Sequence, residues 1–94
     1  MSDKLQWPET VDQAVGVLLG LLPDGDKAKI AAMSQDDLVT LHLGLGMWIR
    51  NNLGLWSGNR ALLESARAQN PDDASVVIIE ALWRRLREET PKVH

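Results

Sequence analysis

Hydrophobic residues recur every three or four positions along most of the chain, which is the spacing of α-helices. The first such run extends from Val11 to Leu22. It is preceded by Thr10, with Gln13 three residues further on, as in a capping box. The stretch "VGVLLGLL" would also suit a buried strand, but the cap and the two internal glycines favour a helix over about 10–22.

Helix-start signals and turn residues divide the rest of the chain into four further predicted helices. They run from Asp24 or Asp26 to Met33, and then over about 35–51, 60–69 and 71–89. Ser34 is the expected N-cap of the third helix, and Asn70, which precedes Pro71, is that of the last. The pattern predicts an all-α fold: a compact single domain at 10–90 of about five helices, with an N-terminal extension at 1–9 and a C-terminal tail at 91–94.

The predicted third helix is apolar on nearly every side. One face carries Leu38, Leu41, His42, Leu45, Ile49 and Asn52, and the opposite side carries Val39, Leu43 and Met47. Helices of this kind are usually enclosed by others, so we expect the segment 35–51 to be a buried central helix. Its glycines, Gly44 and Gly46, and the pair Gly16 and Gly20 are expected where neighbouring helices approach closely.

Composition is that of an ordinary globular protein and excludes several classes of function. Hydrophobic residues make up 45% of the chain and charged residues 24%. There is no cysteine, which excludes disulfides and thiol chemistry. The longest apolar run, 14–22, is far shorter than the ~20 residues that span a bilayer, and the first residues lack the pattern of a signal peptide. We therefore expect a soluble cytoplasmic protein with no membrane partner.

The charge distribution argues against nucleic-acid binding, since the net charge is −3 and nucleic-acid binders are typically basic. Every arginine lies in the second half of the chain: Arg50, Arg60, Arg67, Arg84, Arg85 and Arg87. Acidic residues are interleaved with them. A guanidinium forms a rigid fork for carboxylates, phosphates and carbonyls, so specific polar contacts are expected in that half.

The stretch "MWIRNNLGLW" places Arg50, Asn51 and Asn52 between Trp48 and Trp56. One of the two asparagines is expected to end the third helix as its C-cap. If the tryptophan rings are buried, the Arg50 guanidinium needs acceptors, because a buried unpaired charge is costly. Asp72 and Asp73, at the start of the last helix, are available as acceptors.

Two interpretations of this polar cluster remain open. It could be a structural knot that ties the 51–59 loop to the helix end. It could instead be a small polar-ligand or enzymatic site at the junction of the third helix, that loop and the start of the fifth helix. The residues of the candidate site are His42, Arg50, Asn51, Asn52, Trp56, Asn59, Asp72 and Asp73. The sequence shows no nucleophile–base pair and no second histidine at metal-ligand spacing, so no catalytic residue, metal or cofactor is predicted.

The last helix is also apolar over much of its circumference. Its core face is centred on Ile78, while Val76, Ile79 and Trp83 lie to the side of that face or opposite it. Because a chain of 94 residues has little material to cover two helices on all sides, these three residues are candidates for an interface, and a homodimer is the expected form.

Three stretches together resemble a known family. They are "WPETVDQAV" at 7–15, "LHLGLGMWIRNNLGLWSGN" at 41–59 and "NPDDASVVIIEALWRRL" at 70–86. The family consists of small bacterial proteins of unknown function that read like "LHFGLGxWIRNxFGLWxGN" followed by "HPDDASxxII". This chain departs from the pattern at Leu43, Leu53 and Asn70. The resemblance implies the domain boundaries and singles out His42, Gly46, Arg50, Asn51, Gly54, Trp56, Asn59, Asp72 and Asp73, but it implies no reaction.

The sequence thus favours a non-enzymatic protein-interaction or self-associating module, because the chain is short, its last helix is broadly apolar and no catalytic set is evident. The expected partner is protein, either a second copy or a different chain. The polar-ligand or enzymatic site around Arg50 is the alternative.

Overall fold

The computed structural model describes residues 7–89, which form five α-helices. These are α1 (Val11–Leu21), α2 (Asp24–Ala31), α3 (Met47–Asn52), α4 (Arg60–Ser65) and α5 (Pro71–Glu89). A 3₁₀ helix over Gln35–Leu41 and a π-helix over His42–Gly46 lead directly into α3, and a short 3₁₀ turn, Leu55–Ser57, follows it. The described residues contain no strand, which confirms the prediction of an all-α single domain. The predicted tail at 91–94 and residues 1–6 of the predicted extension lie outside the described residues.

Three of the predicted helix starts are formed by the expected side chains. Thr10 Oγ1 accepts a hydrogen bond of 3.0 Å from the backbone N–H of Gln13. Ser34 and Asp37 form a capping box, in which each side chain accepts from the other residue's backbone N–H. Asn70 Oδ1 accepts from the backbone N–H of Asp73 at 2.8 Å. Each cap satisfies backbone donors that the helix itself leaves without a partner.

The helix at the centre of the fold is α5, to which α1, α2, α3 and α4 all pack. The largest fully buried apolar side chains are Val15, Leu18, Ile49, Leu62, Ile78, Ile79 and Leu82. Burial of each such side chain contributes about 1.5–3 kcal/mol to the stability of the fold. The segment 35–51 was predicted to be the central helix. That prediction is wrong, because the other helices pack around α5.

The segment 35–52 buries one face and exposes the other. Leu38 and Ile49 are in the core, whereas Val39, Leu43 and Met47 expose 62%, 80% and 47% of their surface. The other helices lie on one side of this segment only, so its second apolar side has nothing to cover it within the described chain. Its winding also changes from 3₁₀ to π before α3, so a constant 100° per residue does not describe it.

Among the glycines predicted to mark close approaches, Gly46 alone fulfils the prediction. A β-carbon at Gly46 would lie 3.6 Å from Ile79 Cδ1 and 3.2 Å from Arg50 Nη1. At Gly16, Gly20 and Gly44 a β-carbon would meet nothing within 4 Å. These three glycines lie at the surface and do not mark helix crossings inside the protomer.

Helix α4 ends at Ser65, four residues earlier than predicted. The backbone N–H of Arg67 donates to Glu64 O and that of Ala68 donates to Leu63 O, each at 3.0 Å. This pair of bonds is a Schellman motif, which needs a left-handed residue just beyond the helix. Arg67 takes that conformation with φ of 55°, although glycine is the usual residue there.

Candidate functional site

Arg50, in the second half of α3, is the centre of the predicted polar cluster and is bound by residues of α5. Its Nε lies 3.3 Å from Asp72 Oδ1, and its Nη1 donates to Ser75 Oγ at 3.1 Å. The side chain of Arg50 is 14% exposed, while that of Asp72 is 73% exposed. The guanidinium thus joins the end of α3 to the first turns of α5.

Ser75 completes the cluster and was not predicted. It is fully buried, and its Oγ donates to the backbone carbonyl of Asp72 at 2.8 Å while accepting from Arg50. The sequence carried a signal for it, because Ser75 precedes Ile78, Ile79 and Leu82 by three, four and seven residues and so lies on the core face of the helix. A hydroxyl on that face needs a polar partner.

Gly46, one turn before Arg50, leaves space for the guanidinium. A β-carbon there would approach Arg50 Nη1 to 3.2 Å, which is tighter than an ordinary van der Waals contact. The glycine therefore allows the arginine side chain to lie along the helix towards Ser75.

The asparagines of the triplet do not end α3 as predicted. Both lie within the helix and are exposed, and Asn52 Nδ2 donates to the carbonyl of Trp48 at 2.9 Å. The C-cap is Leu53, and the left-handed residue that follows is Gly54, with φ of 79°. Glycine adopts this conformation without the steric cost that a side chain brings. Gly54, and not an asparagine, is therefore the left-handed residue that ends the helix.

Asn59 organises a second polar contact, away from Arg50. It is buried, and its Nδ2 donates to Pro8 O at 2.9 Å and to Leu53 O at 2.8 Å. Its Oδ1 accepts from the backbone N–H of Leu62 at 3.3 Å, which caps α4. One side chain thereby joins the N-terminal segment, the loop after α3 and the start of α4.

Trp7 lies over this loop, a role that the sequence did not assign to it. A β-carbon at Gly54 would overlap the Trp7 ring, so the ring rests directly on the glycine backbone. Trp48 and Trp56, the residues expected to enclose the polar cluster, are 37% and 59% exposed. Residues 7 and 8, predicted as part of an extension, thus pack on the helical domain.

The remaining predicted residues are dispersed. Asp73 is exposed and caps α5 with Asn70, and His42 is half-buried in the π-helical segment. Within residues 7–89, no group of three or more His, Cys, Asp or Glu side chains could hold a metal ion. No helix in the same range is long and apolar enough to cross a membrane.

The interface residues predicted on α5 are used inside the protomer. Ile79 is fully buried, and Val76 and Trp83 are half-buried. Trp83 Nε1 donates to Met33 O at 2.9 Å, and the Arg87 guanidinium lies 5.0 Å from the centre of its ring. Because α5 has neighbours on several sides, Ile79 packs in the core of the protomer, while a role of the half-buried Val76 and Trp83 in an interface stays a prediction.

The exposed apolar surface lies elsewhere, between α1 and the segment 35–52. We call it the α1 surface and define it by its large exposed side chains, which are Val17, Leu21, Val39, Leu43, Met47 and Trp48. An open groove of about 480 Å³ runs through it, lined by Leu18, Leu21, Leu22, Gly44, Leu45 and Trp48. A second cavity of about 240 Å³ shares Leu22 and Leu45 with this groove and extends it to Met33 and Leu41.

Over residues 7–89 the molecule is thus a small all-α domain with a central last helix, polar contacts at Arg50 and Asn59, and an apolar groove at its surface. The chain belongs to the family described as "Domain of unknown function (DUF6794)", whose model matches residues 7–86. This agrees with the resemblance to a family of unknown function, while the letter pattern given for that family stays a prediction. No curated protein and no solved structure matches the sequence.

Proposed function

We propose that this protein is a non-enzymatic protein-interaction module that binds its partner through the α1 surface. The observation that carries the proposal is the exposure of large apolar side chains on α1 and the segment 35–52, of which Leu21 and Trp48 line an open groove. The six side chains are between 37% and 80% exposed. Groups of exposed apolar side chains, unlike single scattered ones, often mark binding sites.

The chemistry of the α1 surface favours an apolar protein partner. The six side chains lie in two stretches, 13–23 and 38–49, that contain no Asp, Glu, Lys or Arg. Gly44 leaves the groove open, because no atom would lie within 4 Å of a β-carbon there. A groove of this kind suits side chains from an amphipathic helix, which places anchors three, four and seven residues apart.

The polar-ligand or enzymatic alternative has less support. Arg50 is engaged by Asp72 and Ser75, which are groups of the protein itself. The three described cavities of about 480, 420 and 240 Å³ are lined by other residues than Arg50. These contacts support the interpretation of the cluster as a structural knot.

Photo-crosslinking in the host cell tests the proposed function. A photoreactive amino acid replaces Leu43, whose exposed side chain makes the change tolerable to the fold. Irradiation should give one discrete adduct, and a Leu21→Glu substitution in the same chain should abolish it. The matched control carries the photoreactive residue at Gln69, which is exposed between α4 and α5 and outside the α1 surface.

An adduct from position 43 that disappears with Leu21→Glu supports the module. No adduct from position 43, or equal adducts from positions 43 and 69, would contradict it.

A further inference from the structure

The α1 surface combines a protruding side chain with an adjacent groove. Leu43 is the most exposed of the large apolar side chains, and the next residue, Gly44, lines the groove. A two-fold dimer requires a self-complementary surface, in which each copy offers both the projecting group and the recess that receives it. The α1 surface has both on neighbouring residues of one segment.

Building on the proposed function, we propose that the partner is a second copy of this chain, paired about a two-fold axis. Leu43 of each protomer enters the groove between Leu21 and Trp48 of the other. The two insertions are equivalent by symmetry, so Leu43 of each copy is an anchor of the interface.

The exposed apolar side chains agree with a dimer of moderate affinity. Specific interfaces bury about 800 Å² on each partner, with weaker ones below about 600 Å². The six large side chains of the α1 surface, which are between 37% and 80% exposed, supply the apolar part of such an interface.

These glycines also permit close approach of a second backbone. A β-carbon at Gly16 or Gly20 would meet nothing within 4 Å, and both residues lie on α1 beside Val17 and Leu21. The protomer therefore has no internal use for the space above them.

Electrostatics does not oppose the pairing of two copies. Each chain carries a net charge of −3, but the segments 13–23 and 38–49 carry no formal charge when His42 is neutral. Two copies can therefore meet at this surface without placing like charges opposite one another. The far end of the groove carries one acid and one base, Asp26 and Lys29, and this pair is also self-complementary.

Sedimentation velocity of the purified full chain over about a hundredfold range of concentration tests the pairing. The native chain should pass from one to two chain masses as concentration rises. Leu43→Glu should weaken association by on the order of a hundredfold, because it places a charge in an apolar recess. Gly44→Leu should do the same without a charge, since its β-carbon has no atom within 4 Å and the rest of the side chain occupies the groove.

Trp56→Glu is the matched control. Trp56 is an exposed apolar residue outside the α1 surface, so its replacement should leave the dimer intact. Circular dichroism should show all these variants to be as helical as the native chain.

The geometry is tested by disulfide formation between two single variants. The sequence has no cysteine, so Leu43→Cys and Leu21→Cys each carry one thiol. A mixture of the two should form a crosslinked heterodimer on mild oxidation. A mixture of Leu43→Cys with Trp56→Cys should not.

Three results would overturn the inference: a chain that stays monomeric throughout, a dimer that Leu43→Glu leaves unchanged, or equal crosslinking in both mixtures. The photo-crosslinking test of the proposed function distinguishes a failure of the dimer from a failure of the interaction module. A photo-crosslinked adduct of a mass other than two chains would retain the interaction module and reject the second copy as its partner.

Discussion

The side chain of Arg50 shows how much local sequence reasoning can establish about a polar contact. Residue types alone indicate that the Arg50 guanidinium needs hydrogen-bond acceptors, because a guanidinium near apolar neighbours requires partners. They also indicate that Asp72 can be one of these acceptors. Ser75 was missed because its role depends on the packing of α3 against α5. Only that packing brings its hydroxyl to Arg50 Nη1.

Arg50→Ala should lower the free energy of unfolding by about 1–2 kcal/mol. One hydrogen bond to a buried hydroxyl is lost, and the ion pair adds little because Asp72 is mostly exposed. Urea unfolding monitored by circular dichroism measures the change. Arg60→Ala, at the exposed first position of α4, should stay within about 0.5 kcal/mol of the native chain.

If Arg50→Ala left stability unchanged but abolished the photo-crosslinked adduct, Arg50 would belong to a binding site. The structural interpretation of the cluster would then have to be abandoned.

The glycines at 54 and 58 provide a matched pair of positions. Both have positive φ, 79° and 98°, but only Gly54 lies beneath the Trp7 ring. Gly58→Ala should cost about 1 kcal/mol from the backbone alone, and Gly54→Ala about 2–4 kcal/mol because the methyl group also displaces the ring. Urea unfolding of the two variants gives the difference.

Equal losses at the two positions would contradict the Trp7 contact. Trp7→Ala should cost less stability in the Gly54→Ala background than in the native chain, since the methyl group has already displaced the ring.

At the scale of elements, helix starts were more predictable than helix ends and faces. Thr10, Ser34 and Asn70 act through bonds within a few residues, so the sequence contains all the information needed. The end of α4 is different, because Arg67 occupies a left-handed position where glycine would have given a signal. The exposed face of the segment 35–52 was missed since the hydrophobic pattern of a helix does not say whether its second side is covered.

Two leucines of this segment test which side is buried. Leu38→Ala should lower the free energy of unfolding by about 2–5 kcal/mol, because it leaves a cavity in the core. Leu43→Ala should change it by less than about 0.5 kcal/mol, since the side chain is exposed in the protomer. Unfolding should be measured at a concentration low enough to keep the chain monomeric. Comparable losses from the two would restore the original expectation of a helix buried on all sides.

At the scale of the whole molecule, composition and helical periodicity were enough to predict the fold class. They were not enough to predict which helix lies at the centre. Two segments, 35–51 and 71–89, are apolar over most of their circumference, and the sequence does not rank them. In the structure the long helix α5 takes the central place and uses Ile79 and Trp83 internally. The segment 35–52 is left at the surface, where Val39, Leu43 and Met47 are exposed.

A dimer through the α1 surface should make thermal stability depend on protein concentration. Association of folded copies stabilises the native state by mass action, so the Tm of the native chain should rise with concentration. The Tm of Leu43→Glu should not change over the same range. Differential scanning fluorimetry on dilution series of both proteins measures this. A concentration-independent Tm in the native chain would count against self-association.

The central position of α5 also bears on how the chain is made. The ribosome synthesises α1 to α4 before α5, yet each of them packs on α5. At about 5–20 residues per second, several seconds separate the completion of α1 from that of α5. During this interval the apolar stretch 14–22 lacks α5, the helix on which α1 packs most extensively, although isolated helices form and melt within about a microsecond. The nascent chain should therefore remain a substrate for chaperones until α5 emerges, and a chain interrupted before residue 71 should not acquire the core at all.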